Sequence, residues 1–311
     1  MPSENLAGRT IAGYRLLERV GEGGTATVYR AEHPERGLAA VKILKERLRT
    51  DPTAVKRFLR EAGYGTRVVH PHVVRTFDYA QEDELYYLAL EWALGEPLSS
   101  FVSRCGPLAP QLVAHIVSQV ADGLAAAHRV GIIHRDLKPE NIVYDPATQQ
   151  AKLLDFGIAR DAQQDAAERL TRTGFFVGTL QYVAPEALSG ELVGEAADIY
   201  SLATITYHLL TGNYPFRGRT QRELFQQLLR ADPVPMNDPD VDVAVPVELE
   251  RVVMTGLSRD PRKRQPSVVA FAEAITRAAA GVQASGAPSE SRSSLTKLRA
   301  LWERISGQQS E

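Results

Sequence analysis

The sequence predicts an α+β fold in two lobes, with strands in the first lobe and helices in the second. Residues 14–20 alternate apolar and polar side chains, as a half-buried strand does, and residues 85–90 form another strand-like run. Apolar residues recur at helical spacing over 108–128, and an apolar helix is expected over 198–210. A chain of 311 residues is long enough for about two domains or lobes.

The composition is that of an ordinary globular protein, with 44% hydrophobic and 24% charged residues. A net charge of -2 gives no electrostatic reason to expect a nucleic-acid partner. The single cysteine, Cys105, excludes an internal disulfide framework and a cysteine-based zinc site. No apolar run reaches the length of a membrane span, and the N-terminal residues lack a signal-peptide core, so a cytoplasmic location is expected.

A glycine-containing turn is expected between the first strand and a second strand over 28–31. Gly21, Gly23 and Gly24 carry no Cβ, so the backbone N–H groups beside them can approach phosphate oxygens closely. A plain hairpin could use the same glycines, so this segment alone leaves both interpretations open. No Gly-Lys-Ser/Thr follows and the next element is a strand, which excludes a P-loop.

The next two elements are a third strand that ends at Lys42 and a helix that follows it. Asp51 is suited to cap this helix and Pro52 to begin its first turn. The helix should run past Glu61 toward residue 69.

Two glycines interrupt this helix near its end. Gly63 and Gly65 should each cost about 1 kcal/mol relative to alanine. We therefore expect a loosely held helix whose position regulates activity, and alanine at both positions should raise the basal activity.

The clearest chemistry is carried by residues 134–141, which read His-Arg-Asp-Leu-Lys-Pro-Glu-Asn. Asp136 can accept a proton from an attacking hydroxyl, Lys138 can lie against a transferred phosphate, and the amide oxygen of Asn141 can bind Mg²⁺. Asp155, which follows an apolar run, offers a second carboxylate for the metal. The alternative is a polar surface loop in which Asp and Asn cap backbone groups, and the order of the remaining motifs decides between the two.

In these residues the chain resembles the protein kinase superfamily, through its catalytic-loop motif H-R-D-L-x-x-x-N and its magnesium motif D-F-G. Further kinase-like motifs follow the family's order: a glycine-rich loop at 21–28, Ala-Ala-Val-Lys at 39–42, His-Pro-His-Val-Val at 70–74 and Ala-Pro-Glu at 184–186. Ala26 stands where the family has its third loop glycine, which is a departure from the pattern.

The resemblance covers about residues 14–278. It implies a small sheet lobe to about residue 94, a larger helical lobe after it, and ATP between the two lobes. Lys42 would hold the α- and β-phosphates and pair with Glu61, and main-chain groups of the hinge after the gatekeeper Leu90 would bond the adenine. The expected ATP-binding set is Val20, Gly21, Gly23, Gly24, Val28, Ala40, Lys42, Glu61, Glu91 and Ala93.

The resemblance also assigns the catalytic and activation residues. Asp136 and Lys138 would act on the hydroxyl and the phosphoryl group, with Mg²⁺ or Mn²⁺ held by Asn141 and Asp155. Arg135 is the type of residue that pairs with a phosphate on the activation loop. Among the threonines of that loop, Thr171 and Thr173 are the phosphorylation candidates, and Thr179 is expected to contact the catalytic Asp and Lys.

Three further residues are expected to support the site. Glu186 should pair with a buried arginine, for which Arg264 is the candidate by order, and Asp198 should hold the backbone of the catalytic loop. Tyr200 stands where the family commonly has Trp. His115 and His128 are expected to be packing or surface groups, and His134 is expected to be structural.

The implied function is transfer of the ATP γ-phosphoryl group to Ser or Thr hydroxyls of proteins, as in bacterial serine/threonine kinases, with self-phosphorylation of the activation loop. Lys138 favours Ser/Thr over Tyr as the acceptor. A pseudokinase scaffold is one alternative, although it would usually lack the strand Lys, the loop Asp or the metal Asp. A small-molecule phosphotransferase is the other, but such enzymes generally lack the Ala-Pro-Glu motif. A homodimer is left open.

The C-terminal part is expected to lie outside the kinase-like domain. Residues 279–294 are rich in Ala, Gly and Ser, which is typical of a flexible linker. Residues 295–306 place Leu298, Leu301 and Trp302 on one face of a short cationic helix. That helix could lie on an anionic membrane, dock on a partner or fold back, and a frayed tail is the alternative.

Overall fold

The first lobe is an antiparallel sheet of six strands with two helices. The computed structural model describes residues 5–154, 180–191, 193–239, 241 and 243–285. The sheet order is β1-β2-β3-β4-β6-β5. The strands are β1 (Thr10–Ile11), β2 (Tyr14–Glu22), β3 (Ala26–His33), β4 (Gly37–Leu44), β5 (Thr76–Glu82) and β6 (Leu85–Glu91).

The predicted strand over 14–20 is confirmed as part of β2, but its period-2 pattern is seen only at the start, where Tyr14 and Leu16 are buried and Arg15 between them is exposed. Residues 18–20 are all exposed, and the pairing with β3 shifts register there. Residues before β2 also belong to the lobe. Leu6 and Ile11 are both buried in the core cluster under the sheet, and β1 pairs with the start of β2. The folded lobe therefore begins before residue 14, where the sequence resemblance begins.

Helices α1 (Glu46–Arg49) and α2 (Pro52–Gly65) follow β4. The predicted cap is confirmed: the Asp51 side chain accepts a hydrogen bond of 2.9 Å from the N–H of Thr53, and Pro52 begins the helix. The helix ends at Gly65, short of the expected residue 69.

The glycines of α2 have a packing role that the sequence reasoning missed. A Cβ at Gly65 would lie 2.4 Å from Oγ1 of Thr76, and a Cβ at Gly63 would lie 3.3 Å from the Tyr79 hydroxyl. These glycines thus let the end of α2 approach β5 closely. Alanine at residue 65 would push the helix against the strand, rather than only stiffen it as expected from the sequence.

The second lobe is mainly helical. The helices predicted over 108–128 and 198–210 are confirmed as Pro110–Arg129 (α4) and Glu195–Thr211 (α6). The core of the lobe surrounds α6, which is buried on nearly all sides. A small sheet is formed by the strands Glu96–Pro97 (β7), Ile142–Asp145 (β8) and Gln150–Leu153 (β9), in the order β7-β8-β9. A bridge between Leu153 of β9 and Val73 connects this sheet to the first lobe. The elements are β7 (Glu96–Pro97), α3 (Leu98–Cys105), α4 (Pro110–Arg129), β8 (Ile142–Asp145), β9 (Gln150–Leu153), α5 (Pro185–Leu188), α6 (Glu195–Thr211), α7 (Gln221–Arg230), α8 (Val247–Gly256) and α9 (Val268–Ser285).

The expected linker is wrong for its first residues, because 279–285 continue α9. The Ala-rich composition that suggested a linker also has the highest helix propensity. Ala279 is buried, and its carbonyl accepts a hydrogen bond of 3.2 Å from Gln111, so this part of the helix packs on the lobe. The rest of the expected linker and the helix expected over 295–306 lie outside the described residues. Within the described ranges, no helix is long and apolar enough to cross a membrane.

Candidate active site

The catalytic loop brings three predicted residues together. Oδ2 of Asp136 lies 3.1 Å from Nζ of Lys138 and 3.2 Å from Nδ2 of Asn141. The same Nδ2 donates to the main-chain oxygen of Asp136 at 2.8 Å, within a turn formed by the short helix Pro139–Asn141. The Asp136 and Lys138 side chains are each 20% exposed, so both can be reached by a substrate.

Asn141 is suited to the metal role expected of it. Its amide nitrogen is held by two oxygens of Asp136, which turns the amide oxygen to the other side as a hard donor of the kind that Mg²⁺ prefers. Asp155, the second expected metal ligand, lies outside the described residues. Thr171, Thr173 and Thr179 also lie outside them.

The main chain of the catalytic loop is hydrogen-bonded to the carboxylate of Asp198, which is fully buried in the first turn of α6. Its Oδ2 accepts from the N–H of His134 at 2.9 Å, and its Oδ1 accepts from the N–H of Arg135 at 3.0 Å. Arg135 has a φ of 62°, a left-handed conformation that is unfavourable for a residue with a Cβ. Two main-chain bonds to one buried carboxylate stabilise this backbone directly before Asp136.

His128 is a supporting residue that the sequence reasoning missed. Its Nε2 lies 2.8 Å from Oδ2 of Asp198, and its Nδ1 lies 3.6 Å from a carboxylate oxygen of Glu195. Because a carboxylate only accepts, Nε2 is the donor. The only hint in the sequence was that His128 lies six residues before His134, at the end of a predicted helix. This spacing does not show that the end of α4 contacts Asp198.

The glycine-rich loop joins β2 to β3 as a closed turn. The N–H of Gly23 donates to the oxygen of Ala26 at 2.9 Å, and the N–H of Lys45 donates to the oxygen of Thr25 at 2.9 Å. Nζ of Lys45 lies 2.6 Å from the carboxylate of Glu22, and this contact lowers the pKa of Glu22. A Cβ at Gly24 would meet no atom within 4 Å, so the turn leaves open space beside it.

The expected adenine and phosphate residues line the same face of the first lobe. Lys42 pairs across the sheet with Val28 on one side and Leu88 on the other, and Ala40 pairs with the gatekeeper Leu90. Val28, Ala40 and Lys42 are half-buried, as is Glu61 on α2. Val20 and Gly21 lie near the end of β2, with Val20 46% exposed. The pairing of Lys42 with Glu61 stays a prediction.

The start of the hinge is held by the two carboxylate oxygens of Glu91. One carboxylate oxygen pairs with Nζ of Lys152 on β9, and the other accepts from the N–H of Arg75 at 3.2 Å. The N–H of Glu91 donates to the oxygen of Arg75 at 2.8 Å. Ala93 follows, half-buried, in the segment between β6 and β7. The hinge backbone is thus held in place, which is a requirement for main-chain recognition of a base.

The predicted pair of Glu186 and Arg264 is confirmed. Nη1 and Nη2 of Arg264 donate to the two carboxylate oxygens at 2.7 and 2.8 Å, and both side chains are buried. Arg264 also donates to the oxygens of Ala196 and Ser258, and its guanidinium lies 5.0 Å from the ring centre of Tyr200. The pair joins α5 to the turn before α9.

A family model for the protein kinase domain matches residues 14–274. The chain belongs to the protein kinase family. The Myxococcus xanthus serine/threonine-protein kinase Pkn1 is 40% identical over 275 residues, which cover 87% of this chain and 39% of that protein. PknE of Mycobacterium tuberculosis is 38% identical over 263 residues, covering 84% and 45%. The chain spans 33–50% of the length of these and the other first-ranked curated relatives.

Solved kinase structures have the same fold. The kinase domain of Mycobacterium tuberculosis PknI aligns with a TM-score of 0.66 and 28% identity over 88% of this chain and 98% of that domain. Rad53, crystallised in complex with AMP-PNP, aligns with a TM-score of 0.68 and 29% identity over 85% of this chain and 65% of that chain. The two-lobed α+β architecture predicted from the sequence is thereby confirmed.

Proposed function

We propose that this kinase-family chain transfers the γ-phosphoryl group of ATP to Ser and Thr hydroxyls of proteins, in the cytoplasm. The observation that carries the proposal is the cluster of Asp136, Lys138 and Asn141, in which a partly exposed carboxylate, a cation and an amide share one small site. Relatives named serine/threonine-protein kinases support the choice of acceptor.

The reaction forms a bond between the acceptor oxygen and Pγ and breaks the bond between Pγ and the bridging oxygen, with ADP leaving. Asp136 orients the hydroxyl and takes its proton, and Lys138 offsets negative charge on the moving phosphoryl group. A divalent cation, Mg²⁺ or Mn²⁺, would supply further charge compensation when bound, and Asn141 and Asp155 would be its ligands. Lys42, oriented by Glu61, holds the α- and β-phosphates.

Self-phosphorylation of the activation loop is part of the proposal. Thr171 and Thr173 are the expected acceptors, and Arg135, whose backbone is fixed by Asp198, would pair with the new phosphate. Transfer between two copies of the chain would suit a homodimer.

Intact mass spectrometry of the purified chain, before and after incubation with Mg-ATP, tests the function. The wild type should gain one or more phosphoryl groups that map to Thr171 or Thr173, and Asp136→Asn should gain none. Asp145→Asn is the matched control, because Asp145 lies at the end of β8, where its carboxylate accepts from Ala147 and Thr148 in a surface turn. If the wild type phosphorylates neither itself nor casein, the proposal is wrong.

A further inference from the structure

The tip of the glycine-rich loop lies beside the segment that follows β4. The ladder between β3 and β4 pairs Ala26 with Leu44, and it continues one step further, because the N–H of Lys45 donates to the oxygen of Thr25 at 2.9 Å. Helix α1 begins at the next residue, Glu46. The register of the sheet therefore places the first turn of α1 next to the loop tip.

Two cationic side chains of this segment reach the loop. Nζ of Lys45 lies 2.6 Å from Oε1 of Glu22, and Nη2 of Arg47 donates to the main-chain oxygen of Gly24 at 2.6 Å. The first contact reaches past β3 to the end of β2, and the second holds the tip itself. These two contacts together form the loop latch.

The tip is held by polar contacts rather than by packing. Residues 22–25 are all exposed, and in the described part of the chain a Cβ at Gly24 would meet no atom within 4 Å. Apolar packing begins at Ala26, which is buried in the same cluster as Leu44. Because no side chain of the tip is buried, a single polar contact has a large share in deciding how often the tip lifts.

The latch is close in the chain to the proposed phosphate site. Lys45 follows Lys42, which is proposed to hold the α- and β-phosphates, by three residues. The latch therefore connects the loop above the phosphates to the strand that carries their proposed cation. Both of its contacts are made within the chain, one to the carboxylate of Glu22 and one to a main-chain oxygen.

We propose that Lys45 and Arg47 are positioning residues, which hold the glycine-rich loop closed and slow both the entry and the release of the nucleotide. This inference rests on the proposed function, which places the nucleotide phosphates under the loop. The latch uses no group of the nucleotide, so it is kept in the free and the bound protein and cancels from the dissociation constant. It breaks whenever the tip lifts, so it adds to the barrier in both directions.

Stopped-flow fluorescence with N-methylanthraniloyl-ADP and Mg²⁺ tests the proposal on the full chain. In Arg47→Met, the rate constants for association and dissociation should both rise about fivefold, which is the effect expected of one hydrogen bond, and the dissociation constant should stay within twofold of wild type. Lys45→Met and Glu22→Gln should act alike, because each removes the same contact. If Lys45 instead attracted the phosphates directly, Lys45→Met alone would weaken binding.

Two further variants serve as controls. Arg47→Lys keeps a donor on a flexible side chain and should return both rate constants toward the wild-type values. Arg9→Met removes an exposed arginine of the same lobe that pairs with Asp83 at 2.9 Å rather than with the loop, so its rate constants should equal those of wild type. Thermal melting checks that each variant is folded.

The outcomes separate the latch from the proposed function. If the wild type does not bind the fluorescent ADP, both are wrong. If the wild type binds it and phosphorylates itself, but Arg47→Met and Lys45→Met keep the wild-type rate constants, the proposed function stands and the latch is refuted. Faster dissociation alone, with binding weakened to match, would also overturn the latch, because it would show that these side chains stabilise the bound nucleotide rather than the closed loop.

Discussion

Asp198→Asn replaces an oxygen by an NH₂ group at the point that supports the catalytic loop. In the native chain the carboxylate of Asp198 accepts three hydrogen bonds, from the N–H groups of His134 and Arg135 and from Nε2 of His128. The amide has one oxygen and two donor hydrogens, so it cannot accept on both sides. At least one main-chain N–H must then face another donor.

The magnitude follows from these contacts. A hydrogen bond to a charged acceptor contributes about 1.5–3 kcal/mol, and an opposed pair of buried donors adds to the loss. Arg135 has a φ of 62°, and for a residue with a Cβ such a conformation costs about 1–2 kcal/mol that the carboxylate no longer offsets. We expect the aligned loop to lose about 3 kcal/mol, which corresponds to a decrease in kcat of roughly 150-fold.

Steady-state kinetics with a peptide substrate would measure kcat and the KM for ATP. The KM should change little, because the hydrogen bonds of Asp198 go to the catalytic loop and to His128 rather than to the glycine-rich loop. Hydrogen exchange of the peptide that contains His134 should become faster. Thr206→Val is the matched control, since this buried hydroxyl on the same helix donates to the oxygen of Leu202. A folded Asp198→Asn variant with kcat within threefold of wild type would refute the reasoning.

Three further predictions concern stability. Arg264→Leu leaves a buried carboxylate without its partner and should lower the free energy of unfolding by about 3–5 kcal/mol in urea, while Arg251→Leu, at an exposed pair, should cost less than about 1 kcal/mol. Gly65→Ala should be destabilising because its Cβ meets Thr76, and Thr76→Ala in the same chain should restore most of the melting temperature. Burial lowers the pKa of His208 below its ordinary value of 6.5, so the unfolded chain binds a proton there more readily than the folded chain as the pH falls. The folded state should therefore lose stability between pH 7.5 and 5.5, and His208→Gln should reduce that loss. An unchanged loss in the variant would contradict this.

The features of the fold that could be predicted from the sequence are those determined by residues close together in the chain. The alternation at the start of β2, the Asp51 cap and the helical spacing of α4 each depend on residues a few positions apart. The contact between His128 and Asp198 joins residues 70 positions apart, and no local pattern encodes it. The Glu186–Arg264 pair spans 78 positions, and it was predicted only because the family resemblance supplied the order.

Residues 152–154, directly before the proposed metal ligand Asp155, connect the hinge, the first lobe and the catalytic loop. Lys152 pairs with the hinge carboxylate, and Leu153 exchanges main-chain hydrogen bonds of 2.9 Å with the segment 72–74 of the first lobe. The N–H of Leu154 donates to the oxygen of Asn141 at 2.8 Å, which joins the same strand to the catalytic loop. Three consecutive residues therefore bind the hinge, the first lobe and the catalytic loop. Because each contact is to a different element, a shift of any of the three must move the segment 152–154, which directly precedes the proposed metal ligand Asp155. We therefore expect the proposed metal ligands to be aligned together with the nucleotide cleft.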